Sequence, residues 1–441
     1  MKFSHSAAGA CVAVLCILVS GCGDVFRPVA TPLPLPSPDP QTFRLAVFTS
    51  CAFDSTANSC SAGNTTPTGA STDVDVSGDT LAGVTPVGRS PIFALVEASQ
   101  VVTADRDTDT VTDYSHFSLG TSTSISAPTT IGLPSGAKPS SLADASGSIY
   151  VAESGRNVVG VLGGAPLALT TEIPVGANPV NLAALPNAKK VYVVNQGSDS
   201  VTVISAADKS VLATIPLAAG SSPVWAVASA DSTRLYVVNR GLNNVTVVDA
   251  TSDAAMATVS VGNAPNYAIF DAHNQRVLVT NPGSNTLSVI KPDPTSPQFT
   301  NVTNIAVGTT PVSVTALADG TRVYVANQGS NSVSVINSLS LAVTKTISLV
   351  SASVIVGSNL QSDPNPHPVW IASDGQSSKV FTANRDAGDV SVILASTDSE
   401  LTDATTGKPV RLSAPLDPSC SATSSTTCVR LNPVFVGVGP G

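Results

Sequence analysis

The chain has 441 residues, of which 12% are charged, and its formal net charge is −9. Soluble proteins typically contain about 25% charged residues, and this sequence has no run of Lys and Arg. Binding to a phosphate backbone depends on clustered Lys and Arg, so the composition argues against a nucleic acid as partner.

The N-terminal segment 1–22 is predicted to be a lipoprotein signal peptide. Lys2 gives a positive start, and the apolar stretch Ala7–Val19 is too short to span a bilayer but suits a signal sequence. Residues 18–22, Leu-Val-Ser-Gly-Cys, resemble a bacterial lipobox, in which Cys22 becomes the lipidated first residue. A plain secretory signal with a chance Cys is the alternative. Because no Asp directly follows Cys22, the resemblance implies export and a lipid anchor in the outer membrane, on its periplasmic or surface side.

Residues 23–42 are predicted to be a tether. Their dense Pro residues forbid a helix and cannot pair as a strand. Such a segment is semi-rigid, at about 3 Å per residue, and would reach on the order of 60 Å when extended. We expect it to hold a folded body, residues 43–441, clear of the membrane.

The cysteines indicate an oxidising compartment. Cys11 and Cys16 leave with the signal peptide and Cys22 takes the lipid, so four remain. An even number in an exported chain predicts disulfides. Three pairings are open, and we favour the two that close short loops, which join Cys51 to Cys60 and Cys420 to Cys428. A metal site is disfavoured, because the four His residues are scattered at positions 5, 116, 273 and 367.

A thirteen-residue pattern recurs along residues 43–441. The clearest copy, Tyr324–Ile336 (YVANQGSNSVSVI), predicts two strands joined by a tight turn, with apolar residues on both faces. Copies start at residues 102, 150, 192, 236, 278, 324 and 381, which lie 42 to 57 residues apart. Periods of this size built from strands indicate propeller blades. A second marker, Gly-x-x-Pro, precedes the hairpins at Gly88–Pro91, Gly136–Pro139, Gly176–Pro179, Gly262–Pro265 and Gly308–Pro311, with Pro223 and Pro368 in looser contexts.

The repeated motif resembles that of the bacterial YVTN-type β-propeller proteins, over roughly residues 83–440. The resemblance implies an all-β, seven-bladed, extracytoplasmic propeller of four-stranded antiparallel blades. Most such proteins have no assigned reaction, and enzymes share the fold. Residues 434–440 and 85–91 both match an outer strand followed by Gly-x-x-Pro, so we expect the two terminal segments to lie side by side in the closing blade. The long segment after Ile336 is expected to form a loop on a face or the rim.

A candidate ligand site lies two residues after each Pro, near the start of the innermost strand of each blade. In a ring, equivalent positions lie at equal depth, so aromatic and amide groups there could line one mouth of the channel and bind a sugar, peptide or planar ligand. Ordinary packing between blades is the alternative. The positions are Phe93, Ser141, Asn181, Trp225, Tyr267, Ser313 and Trp370, and the ligand-binding candidates among them are Phe93, Asn181, Trp225, Tyr267 and Trp370.

Other polar motifs have simpler interpretations. The acidic run from Asp105 to Asp113 resembles the start of a calcium loop but lacks its Gly and Glu, so a solvated turn is favoured. The repeated Asn, as in Asn327, is expected to bond its own turn. His367 is expected to be a loop residue. The sequence contains no haem-attachment, nucleophile-elbow or P-loop signature, and we predict no catalytic residue, metal or cofactor.

Three functions follow. The favoured prediction is a lipid-anchored scaffold that binds a protein, peptide or glycan without catalysis. The alternative is a hydrolase or lactonase of the propeller type, with acids drawn from Asp105, Glu153 and neighbouring inner-strand residues. A structural surface-layer component is the third.

Overall fold

A computed structural model describes residues 45–51, 53–54, 59–60, 69–76, 78–97, 100–115, 127–291, 302–356, 359–363, 365–414 and 431–438. The predicted signal peptide, tether and lipidation site at Cys22 lie outside these residues, as do the side chains of Cys51 and Cys60 and the whole of Cys420 and Cys428. No helix among the described residues is long and apolar enough to cross a membrane.

The described residues form strands, with one short 3-10 turn at Gln196–Ser198. The N-terminal strands are β1 (Leu45–Cys51), β2 (Phe53–Asp54), β3 (Ser59–Cys60), β4 (Gly69–Asp75) and β5 (Thr80–Val87). Blade 1 contains β6 (Pro91–Val96), β7 (Gln100–Asp105), β8 (Thr110–Ser115) and β9 (Thr129–Gly132). Blade 2 contains β10 (Pro139–Ala145), β11 (Ser148–Glu153), β12 (Val158–Gly163) and β13 (Ala168–Pro174).

Blade 3 contains β14 (Pro179–Ala184), β15 (Lys190–Asn195), β16 (Ser200–Ser205) and β17 (Val211–Pro216). Blade 4 contains β18 (Pro223–Ala228), β19 (Arg234–Asn239), β20 (Asn244–Asp249) and β21 (Ala254–Ser260). Blade 5 contains β22 (Tyr267–Asp271), β23 (Arg276–Asn281), β24 (Thr286–Ile290) and β25 (Val302–Ala306). Blade 6 contains β26 (Pro311–Ala316), β27 (Arg322–Asn327), β28 (Ser332–Asn337) and β29 (Ala342–Ser348).

Blade 7 carries extra strands: β30 (Ser351–Val356), β31 (Asn359–Asp363), β32 (Pro368–Ser373), β33 (Lys379–Asn384), β34 (Asp389–Leu394), β35 (Ser399–Glu400) and β36 (Val410–Ser413). The last strand is β37 (Asn432–Val438). The spatial order in blade 7 is β32-β33-β34-β36-β30-β31. The long segment after Ile336 therefore adds a hairpin, β30–β31, at the outer edge of this blade, because β30 runs parallel to β36.

A further four-stranded sheet, the closing blade, joins the two ends of the described residues. Its order is β37-β1-β4-β5, and β37 pairs antiparallel with β1. The inner strands contact one another in the circuit β6, β10, β14, β18, β22, β26, β32, β37 and back to β6, so the ring is closed.

The predicted number of seven blades is wrong, because the described residues form eight. The count rested on seven hairpin motifs, and each of them builds one complete blade. The closing blade has no such motif. Its hairpin consists of β4 and β5, and its other two strands, β1 and β37, are the first and the last strand along the described chain. The prediction that residues 434–440 begin with an outer strand is also wrong: β37 is the innermost strand of the closing blade, next to β32 and β6.

The core lies between blades rather than within them. Each hydrophobic cluster combines side chains from two neighbouring sheets, as where Tyr192 and Val203 of blade 3 pack with Leu235 and Val237 of blade 4. Both faces of each hairpin are therefore covered, as the apolar residues of both parities predicted. One blade alone would expose this apolar surface, and closing the ring buries it.

Candidate functional site

Proline and a β-bulge position the candidate site. In seven of the eight blades, the pairing of the first two strands shifts at the residue after the Pro near the start of the inner strand, as between Pro223 and Trp225 in blade 4. Pro has no N–H to donate to the ladder, and a bulge leaves one residue unpaired and re-aims its neighbour. The bulge gives the second residue after Pro the same register position on these inner strands, which surround the centre of the ring.

Five aromatic rings meet there and form what we call the axial cluster. Four of them were predicted from the sequence: Phe93, Trp225, Tyr267 and Trp370. The fifth, Phe435 on β37, was missed because that strand was assigned to the outside of a blade. The signal was present, since Phe435 also stands two residues after a proline, Pro433.

The rings of the axial cluster are in continuous contact. The Trp370 ring lies 5.0 Å from that of Tyr267 and 4.9 Å from that of Phe435, between ring centroids. Trp225 lies 4.8 Å from Tyr267, and Phe93 lies 5.0 Å from Phe435. These separations and the tilted geometries are those that aromatic pairs prefer. The cluster therefore runs through blades 4, 5 and 7, the closing blade and blade 1.

The axial cluster is neutral and keeps part of its surface exposed. Phe435 is buried, whereas Phe93, Trp225, Tyr267 and Trp370 are half-buried. Burial raises the pKa of the Tyr267 phenol well above its ordinary value, so this group stays uncharged. The arrangement offers apolar ring surface and ring edges, with no carboxylate among its members.

The other three residues that stand two positions after Pro bond to the inner strands of neighbouring blades instead. Asn181 is buried, and its side-chain oxygen accepts the N–H of Ala226 in the next blade at 2.9 Å. Ser141 accepts the N–H of Leu182 at 3.2 Å, and Ser313 accepts that of Ile371 at 3.3 Å. The structure thus brings together four of the five predicted ligand-binding residues, and it places Asn181 in the wall of the ring.

The two acids of the enzyme alternative lie in separate hairpins. Asp105 is buried and accepts hydrogen bonds from Thr112 at 2.6 Å and Thr103 at 2.9 Å. Desolvation raises its pKa to about 7. Glu153 is also buried and accepts a bond from Arg156 at 2.9 Å, and desolvation raises its pKa too. Each acid is therefore bonded by side chains of its own blade.

The repeated Asn spans its hairpin rather than bonding only its turn. In blade 6, the Asn327 amide donates to Ser332 at 3.2 Å and to Ser334 at 3.0 Å, both on the returning strand β28. Equivalent bonds to residues five and seven positions later occur at Asn195, Asn239 and Asn384, and Asn281 bonds Thr286 and Ser288. These residues hold the hairpins closed.

The acidic residues of blade 1 accept hydrogen bonds from the connections beside their hairpin turn. Asp109 accepts the backbone N–H of Gly136 at 2.7 Å and of Lys138 at 2.8 Å. Asp107 accepts the Ser90 hydroxyl. Among the described residues no group of three or more His, Cys, Asp or Glu side chains could hold a metal ion. The run stabilises the connection between blades 1 and 2.

Blades 1 and 7 share a charged turn that sequence reasoning missed. Elsewhere a Gly in the hairpin turn donates its N–H to the Gly-x-x-Pro connection, as Gly241 does to Ser221 at 2.8 Å. Asp107 and Asp386 make the same bond, to Arg89 and Pro366. Each carboxylate then contacts the preceding Arg and the residue before the inner-strand Pro. The contacts are Arg106 and Ser90 in blade 1, and Arg385 and His367 in blade 7.

The fold and the axial cluster define an eight-bladed β-propeller with an aromatic centre. A family model described as "Lactonase, 7-bladed beta-propeller" matches residues 183–340, about a third of the chain. No curated protein matches the sequence.

Solved structures are similar in fold. Apo AztD from Citrobacter koseri is 13% identical, with 91% of this chain and 100% of that chain covered and a TM-score of 0.59. A candidate 6-phosphogluconolactonase from Bacteroides uniformis is 11% identical, with 67% and 92% covered and a TM-score of 0.52. A functionally unknown protein from Desulfotomaculum acetoxidans is 11% identical, with 68% and 94% covered and a TM-score of 0.51. At these identities the likeness establishes the propeller fold alone.

Proposed function

We propose that this protein is a lipid-anchored, extracytoplasmic binding protein that holds a peptide or glycan on its axial cluster without converting it. The observation that carries the proposal is the continuous set of half-buried aromatic rings at the centre of the ring. Trp and Tyr bind apolar faces of sugars and peptide side chains with little loss of conformational entropy. A closed propeller keeps such a surface rigid, which reduces the cost of binding.

The distribution of acids supports binding over catalysis. General acid–base chemistry requires a titrating group within hydrogen-bond reach of the reacting atoms. Asp105 and Glu153 are each enclosed in a hairpin and engaged by neighbouring side chains. A neutral aromatic surface is suited to binding a ligand through apolar contacts and offers no carboxylate for acid–base catalysis.

Intrinsic fluorescence offers a direct test, because the chain has two Trp residues and both belong to the axial cluster. All eight blades lie within residues 45–438, so a chain that begins at Gln41 contains the whole ring. We expect glycans or peptides selected on arrays to shift or quench this fluorescence and to remain chemically unchanged after incubation. Substitution Trp370→Leu should abolish the response. Phe270→Leu, which removes an inner-strand aromatic that stacks on Tyr236 instead, should preserve it. Array ligands that bind Trp370→Leu as tightly as wild type would refute an axial site.

A hydrolase of the lactonase type is the second candidate, and one pair of side chains favours it. His367 Nδ1 lies within hydrogen-bond distance of Asp386 Oδ2, and His367 is three residues before Trp370. A His held by a carboxylate is the usual arrangement of a general base. Turnover of a lactone panel that is lost in His367→Asn but kept in His116→Asn would favour this candidate over binding alone.

The anchor is part of the proposal and has its own test. Three acyl chains at Cys22 would hold the protein to a membrane almost irreversibly, since each buried methylene contributes about 0.8 kcal/mol. Radiolabelled palmitate should be incorporated into the wild-type protein and not into Cys22→Ser. A wild-type chain that is exported unlabelled into the soluble fraction would contradict the anchor while leaving the axial site unaffected.

A further inference from the structure

Arg89 occupies a position that is uncharged in every other blade of the repeat. It stands two residues before Pro91, in the connection from the closing blade to blade 1. The equivalent residues, two before the opening Pro, are Ala137, Ala177, Ser221, Asn263, Thr309 and Pro366. The fold therefore does not need a cation at this position.

The backbone of Arg89 is fixed on both sides. Its N–H donates to the Thr108 hydroxyl at 3.2 Å, and its carbonyl oxygen accepts the N–H of Asp107 at 3.2 Å. The residue is thus held under the hairpin turn of blade 1, on the face of the ring where the inner strands begin.

The side chain of Arg89, in contrast, has no partner within the described part of the chain. Its Nε is buried and makes no hydrogen bond. The two carboxylates at the adjoining end of the blade 1 hairpin are already engaged. Asp107 accepts from Ser90 and pairs with Arg106 at 3.4 Å, and Asp105 accepts from three Thr hydroxyls. A partly buried guanidinium without an anion is unfavourable, and such groups are normally paired.

Arg89 lies shortly before Phe93, the residue that blade 1 contributes to the axial cluster. It precedes Phe93 by four residues, so the two Cα atoms are at most about 14 Å apart. Phe93 contacts Phe435 at 5.0 Å and through it the rest of the cluster. A ligand resting on this end of the cluster can present a charged group to Arg89.

We infer that the ligand of the axial cluster is an anion, with a carboxylate or sulfate group that pairs with Arg89 while its apolar body lies on the rings. This inference rests on the proposed binding function and specifies its ligand class. Arg favours planar bidentate recognition of such oxyanions, and a charge-assisted bond is about twice as strong as a neutral one. In a chain with a net charge of −9, a retained unpaired cation would also select against cationic and neutral competitors.

A matched pair of dyes tests the inference separately from the proposed function. Anilinonaphthalene sulfonate carries an anionic group, and phenylnaphthylamine has the same rings without it. Both are titrated into the chain that begins at Gln41, and binding is followed by quenching of Trp225 and Trp370. We expect the sulfonate to bind at least tenfold more tightly, and Arg89→Gln to weaken it about tenfold or more while changing phenylnaphthylamine less than twofold.

The controls separate the possible outcomes. Arg240→Gln removes an exposed Arg from the hairpin turn of blade 4 and should leave both dyes unaffected. If Arg89→Gln does not fold, titrations of the wild type with added NaCl give the same information. Salt should weaken the binding of the sulfonate and leave the binding of the neutral dye unchanged. Equal binding of the two dyes, insensitive to salt and to Arg89, would overturn the anion inference and leave the axial site in place. Failure of both dyes to quench would count against the axial site itself.

Discussion

The ring centroids of Trp225 and Trp370 lie 6.0 Å apart, although their strands belong to blades 4 and 7. Residues three blades apart can approach this closely only if their side chains reach across the axis of the ring. The axial cluster is therefore both the packing of the channel and the apolar surface offered at its centre.

Substitution of Trp370 should lower the stability of the propeller more than substitution of Trp225. Trp370 contacts Tyr267, Trp225 and Phe435, whereas Trp225 contacts two rings among the described residues. We expect Trp370→Ala to lower the free energy of unfolding by about 3 kcal/mol, and Trp225→Ala by less, as measured by guanidinium unfolding followed by far-ultraviolet circular dichroism. Equal losses would mean that the central position of Trp370 has no energetic consequence.

Asp105→Asn should remove a pH dependence from folding. The pKa of Asp105 is 3.8 without burial and about 7 in the folded chain, so the folded state binds the proton more tightly. Stability from this group is fully present below pH about 4 and falls as the pH rises toward 7, by up to about 1.4 kcal/mol per pH unit. Asn fits, since five other blades carry it. In urea unfolding from pH 4.5 to 8, the free energy of unfolding of Asp105→Asn should increase relative to that of the wild type as the pH rises. A constant difference would disprove the assignment, because the other carboxylates are common to both proteins and cancel.

The repeated Asn should contribute to the stability of each hairpin. Asn327→Ala removes two buried hydrogen bonds, to Ser332 and Ser334, and should lower the unfolding free energy by about 1–3 kcal/mol. The adjacent Gln328→Ala is the matched control, because the bond made by Gln328 comes from its backbone, and it should change stability by less than about 0.5 kcal/mol. Calorimetry of both variants at neutral pH makes the comparison.

Arg411 on β36 should be needed for the irregular edge of blade 7. Its buried guanidinium pairs with Glu400 at 2.9 Å and Asp389 at 3.5 Å, and it donates to the Leu349 carbonyl oxygen. Removing one partner of such a network leaves buried charge behind, so Arg411→Met should cost about 3–5 kcal/mol. Hydrogen exchange should then increase first in β36 and β30. Protection that is lost uniformly around the ring would show that blade 7 does not open by itself.

Peptide mapping without reduction tests the predicted disulfides. We expect one linked peptide joining Cys51 to Cys60 and another joining Cys420 to Cys428, and no free thiol among the four. Crossed links between the two ends of the chain would instead indicate that the disulfides fasten the closing blade.

The sequence predicted much of the local structure. The hairpin motif located seven blades, and the residue two positions after Pro located four of the five rings in the axial cluster. It could not locate Phe435, because β37 reads equally well as an outer or an inner strand until its neighbours β32 and β6 are known. The charged turns of blades 1 and 7 were missed because Asp is an ordinary turn residue, and only the contacts of Asp386 with His367 and Arg385 distinguish it.

What the sequence by itself determined is the period of the repeat, the apolar cover on both faces of each hairpin, and the depth of the aromatic positions. These follow from local propensity and from the spacing of residues along one strand. Only the tertiary structure decided that eight sheets close the ring, that Asn181 lies in its wall, and that the Arg89 side chain has no partner within the described residues. Each of these depends on residues far apart in sequence, because the blade count, the burial of an amide and the pairing of a charge are settled by neighbours in space.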